Sequence, residues 1–575
     1  MSLTKVTFSM ISGMIANVED YGAIGNGVAN DAPAIQAAIN AVDAAGGGSV
    51  YFVGGKNYLV SDIILLKTNV SLFGNGCTVS VNPLNYTGGI TQFFGVFSTV
   101  NITARPLPIL WRIGTGVISF ENIMIDGFTF QVNRDGSVLS SGQMDVADIN
   151  IVRFEDARNC KVTNCNFIDG QTLANNNGNQ VVYFVRSEMC EISSCYTENT
   201  GLIYIPESKN CTVNDNNIPI SVGTSIETVA GQSHTISNNK LGITWWEVSS
   251  IGINSIQCRI QGNTIDESAL TGITIGHPIV SGGANSYNLP LDADFSTCSN
   301  NYIMAGGSTT VNHGYIGVLV QAASYTTISD NAILSLRKKT AYTDRAAGVL
   351  VQPDAAANAT GVRVENNRIS TANNGVHFVR GELIVINGNA INDVYGGLIY
   401  ELTTNTPSIS AGYNSVDTAD RAVSFANGNI ALANNTFTNI TNATFSVACT
   451  RGNVRFENNI LSECGELYLG TVKSAVVTGN LFENAVVKTR AGSVDNASTA
   501  GTATINLITV LGNNHPGTTD MLRLTGVLGQ STRVVENTAP TQFRTTSYNV
   551  GSLPTSSAGL SSGDIYNDTG TVKVV

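Results

Sequence analysis

Val364-Glu365-Asn366-Asn367-Arg368-Ile369 sets the pattern on which the fold turns: an apolar residue, two spacers, asparagine, one spacer, an apolar residue. The same spacing returns at Val213–Asn216–Ile218, Ile260–Asn263–Ile265, Ile328–Asn331–Ile333, Ile386–Asn389–Ile391, Leu432–Asn435–Phe437, Phe456–Asn459–Leu461 and Val477–Asn480–Phe482. With Asn414 included, the asparagines from Asn367 to Asn480 lie 22, 25, 21, 24 and 21 residues apart. Looser copies begin at Val162, Ile192 and Ile236. Such a unit is too short for two packed helices, and its local period is two, not 3.6. Ahead of most copies runs a second alternating pair, such as Val182/Phe184, Ile203/Ile205, Val376/Phe378 and Val423/Phe425. Each repeat thus supplies short strands separated by Asn/Gly turns, which cannot bury a face alone and must stack. The pattern predicts an all-β solenoid, a right-handed parallel β-helix. A leucine-rich horseshoe would need regularly spaced leucines, which are missing.

Composition agrees. The 575 residues hold 30 Lys+Arg against 42 Asp+Glu, a net charge of −12, and only 13% are charged, about half the usual share. Fifty-eight glycines and 63 asparagines are poor helix material, while 42% hydrophobic residues exclude disorder. A pI near 4.9 argues against a nucleic-acid partner. No run of 18 apolar residues predicts membrane insertion, and no basic stretch followed by an apolar one opens the chain as a secretory signal would.

Repeats and ends divide the chain into residues 1–17 (a cloning remnant and neck), 18–60 (capping helix and first strands), 61–500 (β-helix) and 501–575 (a C-terminal β-rich trimerisation region). Longer steps after Ile260 and Ile328 mark residues 265–298, 303–326 and 333–362 as side loops, often the binding face of a solenoid. The opening is specific. Val18-Glu19-Asp20-Tyr21-Gly22-Ala23-Ile24-Gly25-Asn26-Gly27 leads through Asn30-Asp31 into Ala34-Ile35-Gln36-Ala37-Ala38-Ile39, then Gly46-Gly47-Gly48-Ser49-Val50-Tyr51-Phe52. This reads as a turn, an N-capped helix and a first strand. It resembles the start of pectate-lyase-like β-helix proteins, with Asn26 where Asp is usual. Leu553-Pro554-Thr555-Ser556-Ser557-Ala558-Gly559-Leu560, Gly563-Asp564-Ile565-Tyr566-Asn567 and Val572-Lys573-Val574-Val575 resemble the C-terminal cassette of bacteriophage tail proteins, and Thr4–Ile11 resembles a tailspike neck. The resemblance to phage tailspikes implies a homotrimer in the virion tail, joined to the phage particle through an N-terminal region. Such a spike acts on a bacterial capsular or O-antigen polysaccharide, often as a depolymerase. The chain has no Asp-Asp pair, and its one Gly-His is followed by proline (Gly276-His277-Pro278). This departs from the polygalacturonases.

Glycosidic hydrolysis needs two carboxyl groups, and neighbouring coils of a β-helix, roughly 4.8 Å apart, supply suitable spacings. Glu207, Glu227, Glu247 and Glu267 recur every 20 residues. Tyr183, Tyr204 and Glu227 are expected at one outward position on three successive coils, followed by Trp245-Trp246-Glu247, Asp266-Glu267 and His277. Aromatic faces stack on sugar rings, and an acid beside them can be tuned to donate a proton. Glu227 and Glu247 are the expected acid/base pair, with Asp266 and Glu267 as substitutes. Tyr183, Tyr204, Glu207, Trp245, Trp246, Asn254 and His277 are expected to contact substrate. A lyase would instead use Tyr204, Lys240 or His277 as base, and a spike that only binds would use the same aromatics. Cys160, Cys190, Cys211 and Cys258 share a phase with His234. Stacked coils put one such side chain per coil in a line, not a tetrahedron. An inward ladder is expected, with no metal and no cofactor.

Overall fold

The computed structural model describes residues 13–81, 94–98, 117–132, 149–169, 180–198, 202–221, 223–244, 249–266, 271–276, 293–304, 316–321, 323–336, 346–353, 359–401, 407–441, 446–483, 486–490, 505–514, 522–525, 528–535, 544–545, 558, 565–568 and 571–574. Two compact units divide the chain, Met1–Ala323 and Ser324–Val575. Both are parallel β-helices.

In the first unit each coil contributes three short strands, one to each of three parallel sheets. The first sheet runs from Met14–Asn17 and Gly48–Tyr51 through Lys161–Thr163, Thr212–Asn214 and Arg259–Gln261 to Thr297–Ser299. The second includes Thr129–Val132, Asn217–Ser221 and Lys240–Thr244. The third stacks Phe94–Ser98, Ile149–Glu155, Gln180–Val185, Leu202–Pro206, Ile226–Gln232, Ser249–Ile256, Thr271–Ile275 and Ile316–Val320 in parallel. In the second unit, strands of eleven residues, Arg368–Phe378, Ala390–Tyr400 and Ser415–Phe425, continue through one corner. Small residues make that corner passable: Gly375, Gly397 and Ala422 stack there.

The helix Ala32–Ala44 buries Ala32, Ile35, Ala38, Ile39 and Val42 against the first strands. It covers an end where strand edges would otherwise be open. Its start differs from expectation. Asp31 makes no side-chain cap; its carboxylate instead accepts from the backbone N–H of Ile24 (2.6 Å) and Gly25 (3.2 Å), folding the opening loop onto the helix. The Asn30 side chain accepts from Ala32 N in its place. Asn26 Oδ1 accepts from Val28 N and Ala29 N, both at 2.9 Å, so an amide serves where the resemblance leads one to expect a carboxylate.

The repeat asparagines are the spine of the core. Asn216 Nδ2 donates to Asn239 Oδ1, and Asn239 in turn to Asn263 and Asn263 to Asn301, each at 2.9 Å. In the second unit the ladder runs from Asn331 through Asn367, Asn389, Asn414, Asn435, Asn459 and Asn480 to Asn513. Each amide also donates to a main-chain carbonyl, as Asn389 does to Val364 O, so a buried polar row is fully satisfied. Cys160, Cys190, Cys211, His234 and Cys258 form the expected buried column, linked coil to coil by main-chain bonds. Burial pushes the Cys258 thiol up to about 12.

Two expected boundaries are corrected. Ile505–Leu511 pairs in parallel with Ser474–Thr478 and with Leu528–Val535, so pairing continues past residue 500 instead of ending there. The antiparallel pair Ile565–Asp568 and Thr571–Val574 is a different element. The segments 265–298, 303–326 and 333–362 are not loops throughout: each contains a third-sheet type strand, Thr271–Ile275, Ile316–Val320 or Ala347–Val351. The extra length flanks a strand, which the asparagine spacing alone could not reveal.

Candidate functional site

Along the third sheet of the first unit, Val182, Phe184, Ile203, Ile205, Ile226, Ile251 and Ile253 point into the core. Alternation therefore turns the intervening residues outward. In register these are Arg153, Tyr183, Tyr204, Glu227, Gly252 and Thr274. Tyr183, Tyr204 and Glu227 thus share one position on successive coils, as their spacing predicts. The two tyrosine rings lie 5.0 Å apart and pack with Val185 and Val229 in a buried apolar cluster. The Arg153 guanidinium sits 4.7 Å from the Tyr183 ring centroid, a cation–π contact. Beyond Glu227 the column falls to glycine: a Cβ at Gly252 would lie 3.5 Å from Ser249 Oγ and 3.6 Å from both Glu227 Cγ and Thr224 Cγ2.

A charged network adjoins the aromatic pair. Arg153 donates to Glu155 Oε2 through Nε (3.1 Å) and Nη2 (2.7 Å). The other oxygen of Glu155 accepts from Arg186 Nη2, while Arg186 Nε donates to Asp156 Oδ1 at 2.8 Å. Asp156, Arg186, Glu207 and Ala230 all take positive φ at the turn that ends these strands. Main-chain bonds stack them on successive coils, Asp156 N to Val185 O, Arg186 N to Pro206 O and Glu207 N to Val229 O. Glu207 is half-buried, and its Oε1 is buried without a hydrogen-bond partner. Burial raises the Glu207 pKa; Arg186 opposes the rise, and Glu155 and Asp156 add to it. One step along the strands, Val229 and Asn254 are register neighbours. Asn254 is buried and its Oδ1 accepts no hydrogen bond.

The structure therefore places Tyr183, Tyr204 and Glu227 in one column of the third sheet, with Asn254 two residues beyond Gly252 and Glu207 at the turn that ends the Tyr204 strand. It does not bring Asp266 into that column. Asp266 follows Thr264–Ile265 on the second sheet, 4.0 Å from Lys240 Nζ. Trp245, Trp246, Glu247, Glu267 and His277 lie outside the described residues. Sequence reasoning missed Arg153, Glu155, Asp156 and Arg186. Arg153 and Glu155 flank Phe154 in a strand whose other residues are apolar apart from Asn150, a readable signal, but the repeat spacing is clear only later, from Val162. Among the described residues, no three His, Cys, Asp or Glu side chains are placed to hold a metal ion.

Residues 15–274 match the family described as rhamnogalacturonase A/epimerase, pectate lyase-like, a stretch that begins in the strand ahead of the capping helix and ends at Thr274 in the column. Among particular proteins, plasmin and fibronectin-binding protein A of Streptococcus pneumoniae is 29% identical over 155 residues, 21% of this chain and 21% of that protein. Mannuronan C5-epimerase AlgE4 of Azotobacter vinelandii is 48% identical over 106 residues, 16% of this chain and 19% of the epimerase. The chain thus spans about a fifth of the length of either relative. The tailspike protein of E. coli bacteriophage HK620, solved with a pentasaccharide, aligns at TM-score 0.40 and 14% identity over 91% of this chain and 78% of that one.

Proposed function

We propose that the protein is a phage tailspike, a homotrimer of the virion tail, that binds a bacterial capsular or O-antigen polysaccharide and cleaves it by glycosidic hydrolysis. The observation that carries this reading is the outward column Tyr183–Tyr204–Glu227, in which an aromatic pair adjoins a carboxylate on a face with further acids. Glu227, half-buried beside the buried tyrosine pair, supplies one of the two carboxyl groups hydrolysis requires. Incubating the protein with capsular and O-antigen polysaccharides and sizing the products tests it. Polymer length unchanged across a broad host panel contradicts it, and tight saturable binding without cleavage would indicate a receptor-binding spike.

A second reading, β-elimination across a uronic acid, is favoured by one observation: short matches to the mannuronan C5-epimerases and to alginate lyase 7 of Azotobacter vinelandii, the latter 43% identical over 75 residues. Tyr204, Lys240 and His277 would then be the candidate bases. Elimination leaves an unsaturated uronate with a new ultraviolet absorbance, and hydrolysis leaves none.

A further inference from the structure

We propose that Glu207 is the proton donor that completes the pair with Glu227. The assignment rests on the hydrolase reading.

Hydrogen bonding singles out Glu207. Arg186 reaches back one coil, to Glu155 and Asp156, and Arg153 also binds Glu155. Two guanidinium groups and two carboxylates close on one another. Glu207 stands one coil further on at the same turn, and its buried Oε1 receives none of these donors. An ionised carboxylate that is half-buried without a donor is costly, so burial favours the protonated form. The charged groups facing it are Arg186, which favours the ionised form, and Glu155 and Asp156, which oppose it.

Position then links Glu207 to the substrate face. It lies three residues beyond Tyr204, the register neighbour of Glu227. Three residues at roughly 3.3 Å each and one coil at roughly 4.8 Å place the two Cα atoms about 11 Å apart. Side chains leaning toward one another across that gap can bring their carboxyls into the roughly 6.5–9.5 Å range that leaves room for a water. Glu207 passes its proton to the glycosidic oxygen as the bond from that oxygen to the anomeric carbon breaks. Glu227 takes a proton from the water that forms the new bond. One water is consumed, and exchange with solvent restores both carboxyls.

The test uses the full chain and a polysaccharide that the wild type shortens. Glu207→Gln should lower kcat by about 10²- to 10⁴-fold and leave polymer affinity within about threefold. Arg186→Met removes a cation that favours ionised Glu207, so the basic limb of the kcat–pH profile should move to higher pH; Arg186→Lys should restore most of the shift. Glu207→Gln should also raise the melting temperature at pH 7 but not at about pH 2.5, where the carboxyl is protonated in folded and unfolded chains alike. An active wild type whose Glu207→Gln variant keeps more than a tenth of kcat, or loses affinity and not turnover, overturns this assignment alone. So does an unmoved basic limb in Arg186→Met. A wild type that shortens no polymer overturns the hydrolase reading and this assignment with it.

Discussion

Glu227 has Tyr204 as its register neighbour on one coil and Gly252 on the next. Exchanging it for glutamine keeps shape and removes the base. Glu227→Gln is expected to retain polymer binding and lose about 10²- to 10⁴-fold in turnover, read by product sizing. His234 makes the opposite kind of prediction, about stability. It is fully buried, its Nδ1 accepts from Cys211 N at 3.2 Å, and burial holds its pKa down at about 4. An unfolded histidine titrates near 6.5, so below that value the unfolded chain takes up the proton first. Stability is therefore full above about pH 6.5 and falls as pH drops toward 4, by about 3 kcal/mol at roughly 1.4 kcal/mol per pH unit. Denaturant titrations at pH 7 and pH 4 measure this, and His234→Gln should lose that part of the difference.

Within the strands, corner residues decide what can pass. At Gly375 a Cβ would lie 2.6 Å from Ile391 Cγ2 and 2.7 Å from the Gly397 carbonyl oxygen. Alanine in place of glycine ordinarily stabilises extended backbone, but here the clash wins. Gly375→Ala is expected to cost about 1–3 kcal/mol by chemical denaturation, the range for overpacked cores; a variant as stable as wild type would show that the corner relaxes freely. This corner was not legible beforehand, because a glycine column marks where backbone meets backbone and leaves no apolar period. The asparagine ladder was legible, since Asn367 and its counterparts repeat in fixed phase between core residues. The face of Tyr183, Tyr204 and Glu227 could be read for the same reason: each sits between two inward residues. Arg186 and Asp156 occupy turn positions with positive φ, where alternation stops and phase arguments no longer assign a direction. The capping helix was legible in place but not in its bonding, because Asp31 and Asn30 exchange the roles that composition suggests.

At the scale of the whole chain, the proposed trimer, of subunits each with net charge −12, would carry about −36 (three times −12), and that much like charge favours solubility. Truncation after residue 500 removes the partner of Ser474–Thr478 and bares a parallel strand edge. Light scattering should then show aggregates or monomers; a truncated chain that stayed trimeric would assign assembly to residues before 501. The ladder of amides has a direction as well. From Asn331 to Asn480, each side chain donates to the Oδ1 of the asparagine on the following coil, and so does its backbone N–H from Asn331 through Asn480. Every coil is therefore completed by the one synthesised after it. A chain leaving the ribosome carries its unfinished coil at the newest end, close to the exit, while older coils behind it are already satisfied. Folding is therefore expected to follow translation, and pulse proteolysis of stalled nascent chains should find protection growing one coil at a time from the N-terminal side.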